Sequence, residues 1–220
     1  LERNVLRGDM AMLRRVVRRA LRTMQPWHCE YRVHAPDGSV RWHMTSAALQ
    51  AESDGSVLMH GYTQDITDRK HAAQEIERLA FYDALTQLPN RRLLLDRLER
   101  LALSCQRSHQ HGALLFIDLD NFKDLNDTLG HDMGDQLLVQ VAQRLLGSVR
   151  ACDTVARFGG DEFVILLEGL HGDLVQAVRQ SETIARKLLA ALNQSFELAG
   201  QKHYSTPSIG LTLFGPERQS

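Results

Sequence analysis

The sequence has little cysteine, and what it has forms no pattern: Cys29, Cys105 and Cys152 are widely spaced, odd in number and contain no CxxC pair. That excludes a disulfide framework and a cysteine-paired zinc site, and it points to a reducing, cytoplasmic compartment. No apolar run approaches the ~18 residues that span a bilayer, and the N-terminus lacks the apolar core of a signal peptide. Net charge is almost absent, with 26 Lys+Arg against 27 Asp+Glu. No global field therefore argues for nucleic acid or an anionic membrane as partner. With 43% apolar and 24% charged residues the 220-residue chain is neither collagenous nor low-complexity, and its length suits one to two soluble domains. No methionine precedes Met10, so the chain reads as a piece of something longer.

What is present is local asymmetry. The first 22 residues carry seven arginines and two acids, whereas Asp118 to Asp135 is rich in aspartate. Met10, Leu13, Val17, Ala20, Leu21 and Met24 recur at helical spacing, with Arg14, Arg15, Arg18, Arg19 and Arg22 on the opposite face. Such a helix packs its apolar stripe on its own domain and solvates its arginines; a membrane-surface helix is the competing reading. From Cys29 the period becomes two. Cys29, Tyr31 and Val33 alternate with polar residues, Pro36-Asp37-Gly38-Ser39 turns the chain, and Val40, Trp42 and Met44 alternate again. Val57 to Tyr62 adds a third strand to an antiparallel meander.

A helix, three strands and the closing GYTQDITDRK segment resemble the C-terminal half of a PAS sensory domain. That family's ligand pocket also uses an N-terminal half that is not in this chain, so residues 1–68 name no PAS ligand. Residues 69–81 then read as a charged linker helix, with Ile66, Ala73 and Ala80 seven apart, too short a heptad run to define a coiled coil. A catalytic-looking unit occupies 82–220.

That unit alternates helices and apolar strands, an α/β (α+β) pattern. Helices are expected over Asn90 to Leu103 and Asp135 to Val149, and strands over Ala113 to Ile117, Thr154 to Phe158, Phe163 to Leu167 and Ser208 to Phe214. The turn Gly159-Gly160-Asp161-Glu162 makes a hairpin with an acidic tip. Adjacent carboxylates repel unless something positive lies between them. Asp118 ends the strand ALLFI, and Asp120 follows on the same side of the chain. If the hairpin lies beside that strand, Asp118 and Asp161 or Glu162 converge as hard oxygen ligands suited to Mg²⁺ or Mn²⁺. Paired ions of this kind serve nucleotidyl transfer.

Four co-linear segments, DALTQLPNRR from Asp83, FIDLDNFKDLND from Phe116, GHDMGDQLL from Gly130 and RFGGDEF from Arg157, resemble the GGDEF family of diguanylate cyclases over residues 81–214. The resemblance implies a palm-like domain with a central, mostly antiparallel sheet that condenses two GTP into cyclic di-GMP and two pyrophosphates. Each domain of that family holds one GTP, so a homodimer is implied. By position, Asp118, the Leu119 carbonyl and Asp161 become metal ligands, with two ions per site. Asp161, Glu162 and Lys123 become catalytic, and Asn126, Asp135, Gly159 and Gly160 bind substrate. Without the motif, Asn126 reads as a loop cap and Asp135 as the N-cap of the next helix. Arg150 and Asp153, an RxxD five residues before Gly159, resemble the family's product-inhibition site; the plain alternative is a helix-ending arginine and a strand-leading aspartate. The family's domain continues into an ALYxAK and GRN-like segment whose lysine and arginine grip phosphate, and this chain stops at Ser220 before it, so weak activity or none is expected of the chain alone. A non-catalytic GTP- or cyclic di-GMP-binding module controlling a phosphodiesterase domain is the alternative function. The ten histidines form no ligand spacing and are read as solvated or structural.

Overall fold

The structure, a computed structural model, describes residues 4–216; residues 1–3 and 217–220, the ends of the expected 1–68 and 82–220 segments, lie outside the described residues. The chain divides into two compact units, 1–77 and 78–220.

In the first unit, α1 (Arg7–Thr23) packs on a three-stranded antiparallel sheet of β1 (Trp27–His34), β2 (Val40–Ala51) and β3 (Val57–Asp65), in that order. Leu13 and Ala20 of α1 are buried against Trp27, Cys29, Tyr31 and Val33, the alternate residues of β1. Arg14, Arg15, Arg18, Arg19 and Arg22 are exposed, so the basic helix is a packed helix with a solvated face. Asp9 fixes its start: the carboxylate accepts from the Arg32 main-chain N–H at 2.8 Å and from its guanidinium at 2.7 and 2.9 Å. Hydroxyls cross the sheet from Tyr31 to Thr45 to Thr63 at 2.7 and 2.8 Å. The helix α2 (Thr67–Phe81) buries none of its residues.

The second unit contains α3 (Arg91–Ser108), β4 (His111–Leu119), α4 (Phe122–Leu129), α5 (His131–Ser148), β5 (Thr154–Gly159), β6 (Glu162–Leu170), α6 (Leu174–Leu192), β7 (Phe196–Leu198), β8 (Gln201–His203) and β9 (Pro207–Phe214). Its main sheet runs β5-β6-β4-β9, with every neighbouring pair antiparallel. The apolar residues of β4 and β6 divide by parity, because successive side chains point to opposite faces. Leu115, Ile117, Phe163 and Ile165 pack with Leu137, Val141 and Leu145 of α5 and Leu188 of α6. Val164 and Leu166 on the other face pack with Leu94, Leu101 and Cys105 of α3. A sheet covered on both faces explains why its strands read as continuous apolar runs. Cys29 and Cys105 are buried, Cys152 is exposed, and all are free thiols. Among the described residues no helix is long and apolar enough to cross a membrane.

A half-buried cation locks the α5 and α6 layer. The guanidinium of Arg144 donates to the carbonyls of Ala191, Gln194 and Ser195 and lies 3.8 Å from the centre of the Phe196 ring. It thus occupies the Ala191 carbonyl in the last turn of α6, which the helix itself cannot bond, and two carbonyls of the segment that follows. Arg144→Ala should lower the unfolding free energy by about 2 kcal/mol. Urea unfolding followed by circular dichroism checks this, with secondary structure otherwise unchanged.

Candidate functional site

The site is assembled where β4 ends. Asp118 lies opposite Glu162 of β6 on one side and Ser208 of β9 on the other. The hairpin therefore does lie beside the strand ALLFI. The main-chain N–H of Asp120 bonds the Thr206 carbonyl. Because main-chain groups alternate sides along an antiparallel strand, the Leu119 carbonyl points the other way, toward β6 and its acidic turn. The Leu119 side chain is buried in the core, which anchors that orientation. Asp120 is differently used: its carboxylate accepts from the hydroxyls of Thr206 at 2.7 Å and Ser208 at 2.8 Å, tying β4 to β9. Those two bonds hold its pKa below the ordinary carboxylate value.

Asp118 is shifted the opposite way. Burial raises its pKa first, and the negative charges of Asp161 and Asp120 raise it further. Among the described residues no ion pair engages Asp118, Asp161 or Glu162. Among the described residues no three His, Cys, Asp or Glu side chains cluster as a complete ligand set either. Crowded hard oxygens with no cationic side chain fit a divalent ion such as Mg²⁺ or Mn²⁺ that takes its remaining ligands from phosphate or water.

Behind the turn stands Arg157, whose importance the residue patterns did not signal. Its Nη1 donates to both carboxylate oxygens of Asp83, at 3.0 and 3.2 Å. Its Nε and Nη2 both donate to the Gly160 carbonyl, at 2.9 and 2.8 Å. Its main-chain N–H bonds Pro89. One side chain thus joins the DALT segment to the Gly-Gly turn. Gly160 has a φ of +48° and so has a conformational reason to be glycine, whereas Gly159 has open space where a Cβ would be, with only Glu162 Oε2 at 3.9 Å. A groove of about 830 Å³ opens beside the turn, lined in part by Arg91, Arg92 and Phe158.

The periodicity also left α4 unmarked, although Phe122, Leu125 and Leu129 stand at i, i+3 and i+7 before Gly130. Its N-cap residue Asn121 is left-handed, at φ 59°, and makes no side-chain cap. The first-turn N–H groups beside the exposed Lys123 are therefore available to an anion such as phosphate. Asn126 lies inside α4 rather than in a loop. Asp135 is likewise not an N-cap: α5 starts at His131, four residues earlier than expected, with Gly130 before it. Of Gly130 and Gly134 only the first has positive φ, at 86°; Gly134 continues the helix. Asn126 comes against Gly134, and Asp135 is exposed next to it.

Arg150 and Asp153 form a tight turn after α5. Asp153 accepts from the main-chain N–H groups of Arg150 at 2.9 Å and Glu168 at 3.2 Å, so its carboxylate shapes the turn. Arg150 is exposed, and its guanidinium has no ion-pair partner among the described residues.

Residues 80–220 match the family model "Diguanylate cyclase, GGDEF domain", and residues 2–63 match "PAS fold". The bifunctional diguanylate cyclase/cyclic di-GMP phosphodiesterase MucR of Pseudomonas aeruginosa is 41% identical over 154 residues, 70% of this chain and 22% of its own. Among solved structures, the GGDEF domain of TpbB from Pseudomonas aeruginosa is 38% identical with a TM-score of 0.57, covering 60% of this chain and 75% of that one. The GGDEF domain of DgcB from Caulobacter crescentus, solved in complex with c-di-GMP, is 26% identical with a TM-score of 0.56, covering 62% and 79%. The chain spans 14% to 26% of the lengths of three curated relatives.

The Asp83 and Arg157 side chains are only 23% and 14% exposed, so their pairing is little screened. Burial acts to raise the Asp83 pKa, but hydrogen bonds from Thr86 and Arg157 outweigh it and the net shift is downward. A carboxylate with a depressed folded pKa contributes stability above its unfolded pKa and loses it as pH falls through the folded one. Asp83→Asn should therefore cost about 2 kcal/mol near neutral pH, and the gap from the unaltered chain should narrow from about pH 5 downward. Denaturant unfolding of both at a series of pH values reads this directly.

Proposed function

This chain belongs to the diguanylate cyclase family defined by the GGDEF domain, and from that premise we propose that it condenses two GTP into cyclic di-GMP with release of two pyrophosphates. The observation that carries the reading is the placement of Asp118 beside Glu162 and within the field of Asp161, with no cationic side chain to balance them. Asp118, the Leu119 carbonyl and Asp161 would hold Mg²⁺ or Mn²⁺, two ions per site. Such ions lower the pKa of a ribose hydroxyl and neutralise charge on the α-phosphate.

The residues supply the rest. Each 3′-oxygen forms a bond to the α-phosphorus of the other GTP as the bond to pyrophosphate breaks. Asp161 takes the proton of that hydroxyl, and Glu162 completes the acidic edge. Lys123 and the uncapped start of α4 receive phosphate oxygens, and the open face of Gly159 lets a nucleotide approach the main chain. Asp135 accepts the N1–H and N2–H₂ donors of guanine while the Asn126 amide completes the edge. Each domain holds one GTP, so turnover requires two copies facing each other.

Control enters at two places. The PAS-type unit is the sensor, joined to the catalytic unit by α2. The Arg150 guanidinium can fork onto guanine O6 and N7 of the product, and Asp153 retains lone pairs beyond those used by the main chain.

In the full-length protein incubated with GTP and Mg²⁺, Asp161→Ala should abolish cyclic di-GMP formation, and unchanged turnover would sink the assignment. Arg150→Ala should leave the initial rate intact and let product accumulate further before the reaction slows. An identical progress curve would remove the inhibitory role.

A further inference from the structure

Two unfavourable features coincide between α4 and α5. Gly134 sits in regular helix at the fourth position of α5, where backbone conformation does not demand glycine and alanine is the better helix former. Across from it, the side-chain oxygen of Asn126 is buried with no hydrogen-bond donor. An unpaired buried carbonyl is destabilising as well.

The two explain each other sterically. A Cβ on Gly134 would lie 2.0 Å from Asn126 Oδ1, 3.0 Å from its Cγ and 3.2 Å from Cζ of Phe122. The carboxamide oxygen therefore occupies the space that any other residue at 134 would fill. With the oxygen seated there, the planar amide turns its N–H₂ group away from α5, and that nitrogen is not enclosed as the oxygen is.

We propose that Gly134 is a positioning residue for base selection: its missing side chain seats the Asn126 carbonyl, so that the amide presents donors and not an acceptor to the nucleotide. The proposal rests on Asn126 reading the base, as argued above. Guanine carries an acceptor, O6, where adenine carries the N6 amino donor. An amide free to turn over could satisfy either. An amide whose oxygen is held in a slot favours guanine and meets adenine donor to donor. Gly134 thus converts an ambiguous side chain into a one-way reader, and the unpaired oxygen is the consequence.

A double-variant cycle on the 220-residue chain tests this, reading thermal midpoint and the dissociation constants of GTP and ATP with Mg²⁺ by calorimetry. Gly134→Ala should weaken GTP about tenfold, roughly one hydrogen bond, and leave ATP unchanged or tighter. Asn126→Ala should weaken GTP to a similar extent. In the Asn126→Ala background the alanine at 134 enters vacated space, so it should cause no further loss of GTP binding and should restore the thermal midpoint lowered by Gly134→Ala alone. Multiplicative losses, or a double variant no more stable than Gly134→Ala, would overturn the positioning role. The stability comparison holds even if Gly134→Ala folds poorly. If Asn126→Ala binds GTP as tightly as the unaltered chain, it is the base reading beneath the proposal that fails.

Discussion

The register of β4 against its two neighbours is the constraint on which the rest depends. A slip of one residue reverses the face of every side chain in a strand. Here it would turn Leu115 and Ile117 out of the α5 and α6 layer and carry Asp118 away from Glu162. The core and the acidic edge are thus specified by the same alignment. Burial of large apolar side chains on both faces holds it, and the hydrophobic contacts of β4 are in effect what keeps two like charges together. Asp120 adds a polar pin at the end of the strand, because its carboxylate is satisfied only while Thr206 and Ser208 stand opposite.

Register alone does not shape a turn. The hairpin tip leaves the ladder at Gly159 and Glu162, where irregular pairing ends the regular hydrogen bonding of β5 with β6. Arg157 replaces what is lost. Its guanidinium reaches back to the Gly160 carbonyl and outward to Asp83, so the turn is braced against the segment between α2 and α3. A planar fork with several fixed donors suits this task in a way a lysine would not. Bracing from outside also leaves Asp161 and Glu162 with their oxygens uncommitted.

How much of this was legible in the residues depended on whether the signal was periodic or local. The strands around Leu115 and Ile165 and the helix carrying Leu137 and Val141 announced themselves, because apolar periodicity survives any arrangement of neighbours. Convergence of Asp118 with the hairpin acids was also readable, from short connections and an acid at each end of an apolar run. The misreadings have particular causes. Asp135 reads as the N-cap of a helix over Asp135 to Val149, yet α5 already begins at His131, because Gly134 is helical and, of the two glycines, only Gly130 has positive φ. The eight residues of α4 gave too few turns for a period. Asp120 follows Asp118 on the same side of the chain, yet hydroxyls 86 and 88 residues away claim its carboxylate, which no local pattern registers. The Arg157 brace spans 74 residues, a separation that local pattern does not register.

The division of labour within the second unit follows from these placements. The partly buried arginines are matched by groups other than the acidic side chains of the edge: Arg144 by carbonyls in and just after the last turn of α6, and Arg157 by Asp83 and the Gly160 carbonyl behind the turn. At the edge itself the polar groups stay unmatched: Asp118 is destabilised as an anion, and α4 begins without a side-chain cap. Each omission is a deficit for the protein alone. A divalent cation and an anionic ligand, which the proposed reaction would bring together, match those two deficits in sign. The near-zero net charge of the chain conceals this arrangement, since the arginines that offset the aspartates in the sum lie elsewhere, five of them (Arg14, Arg15, Arg18, Arg19 and Arg22) on the solvated face of α1.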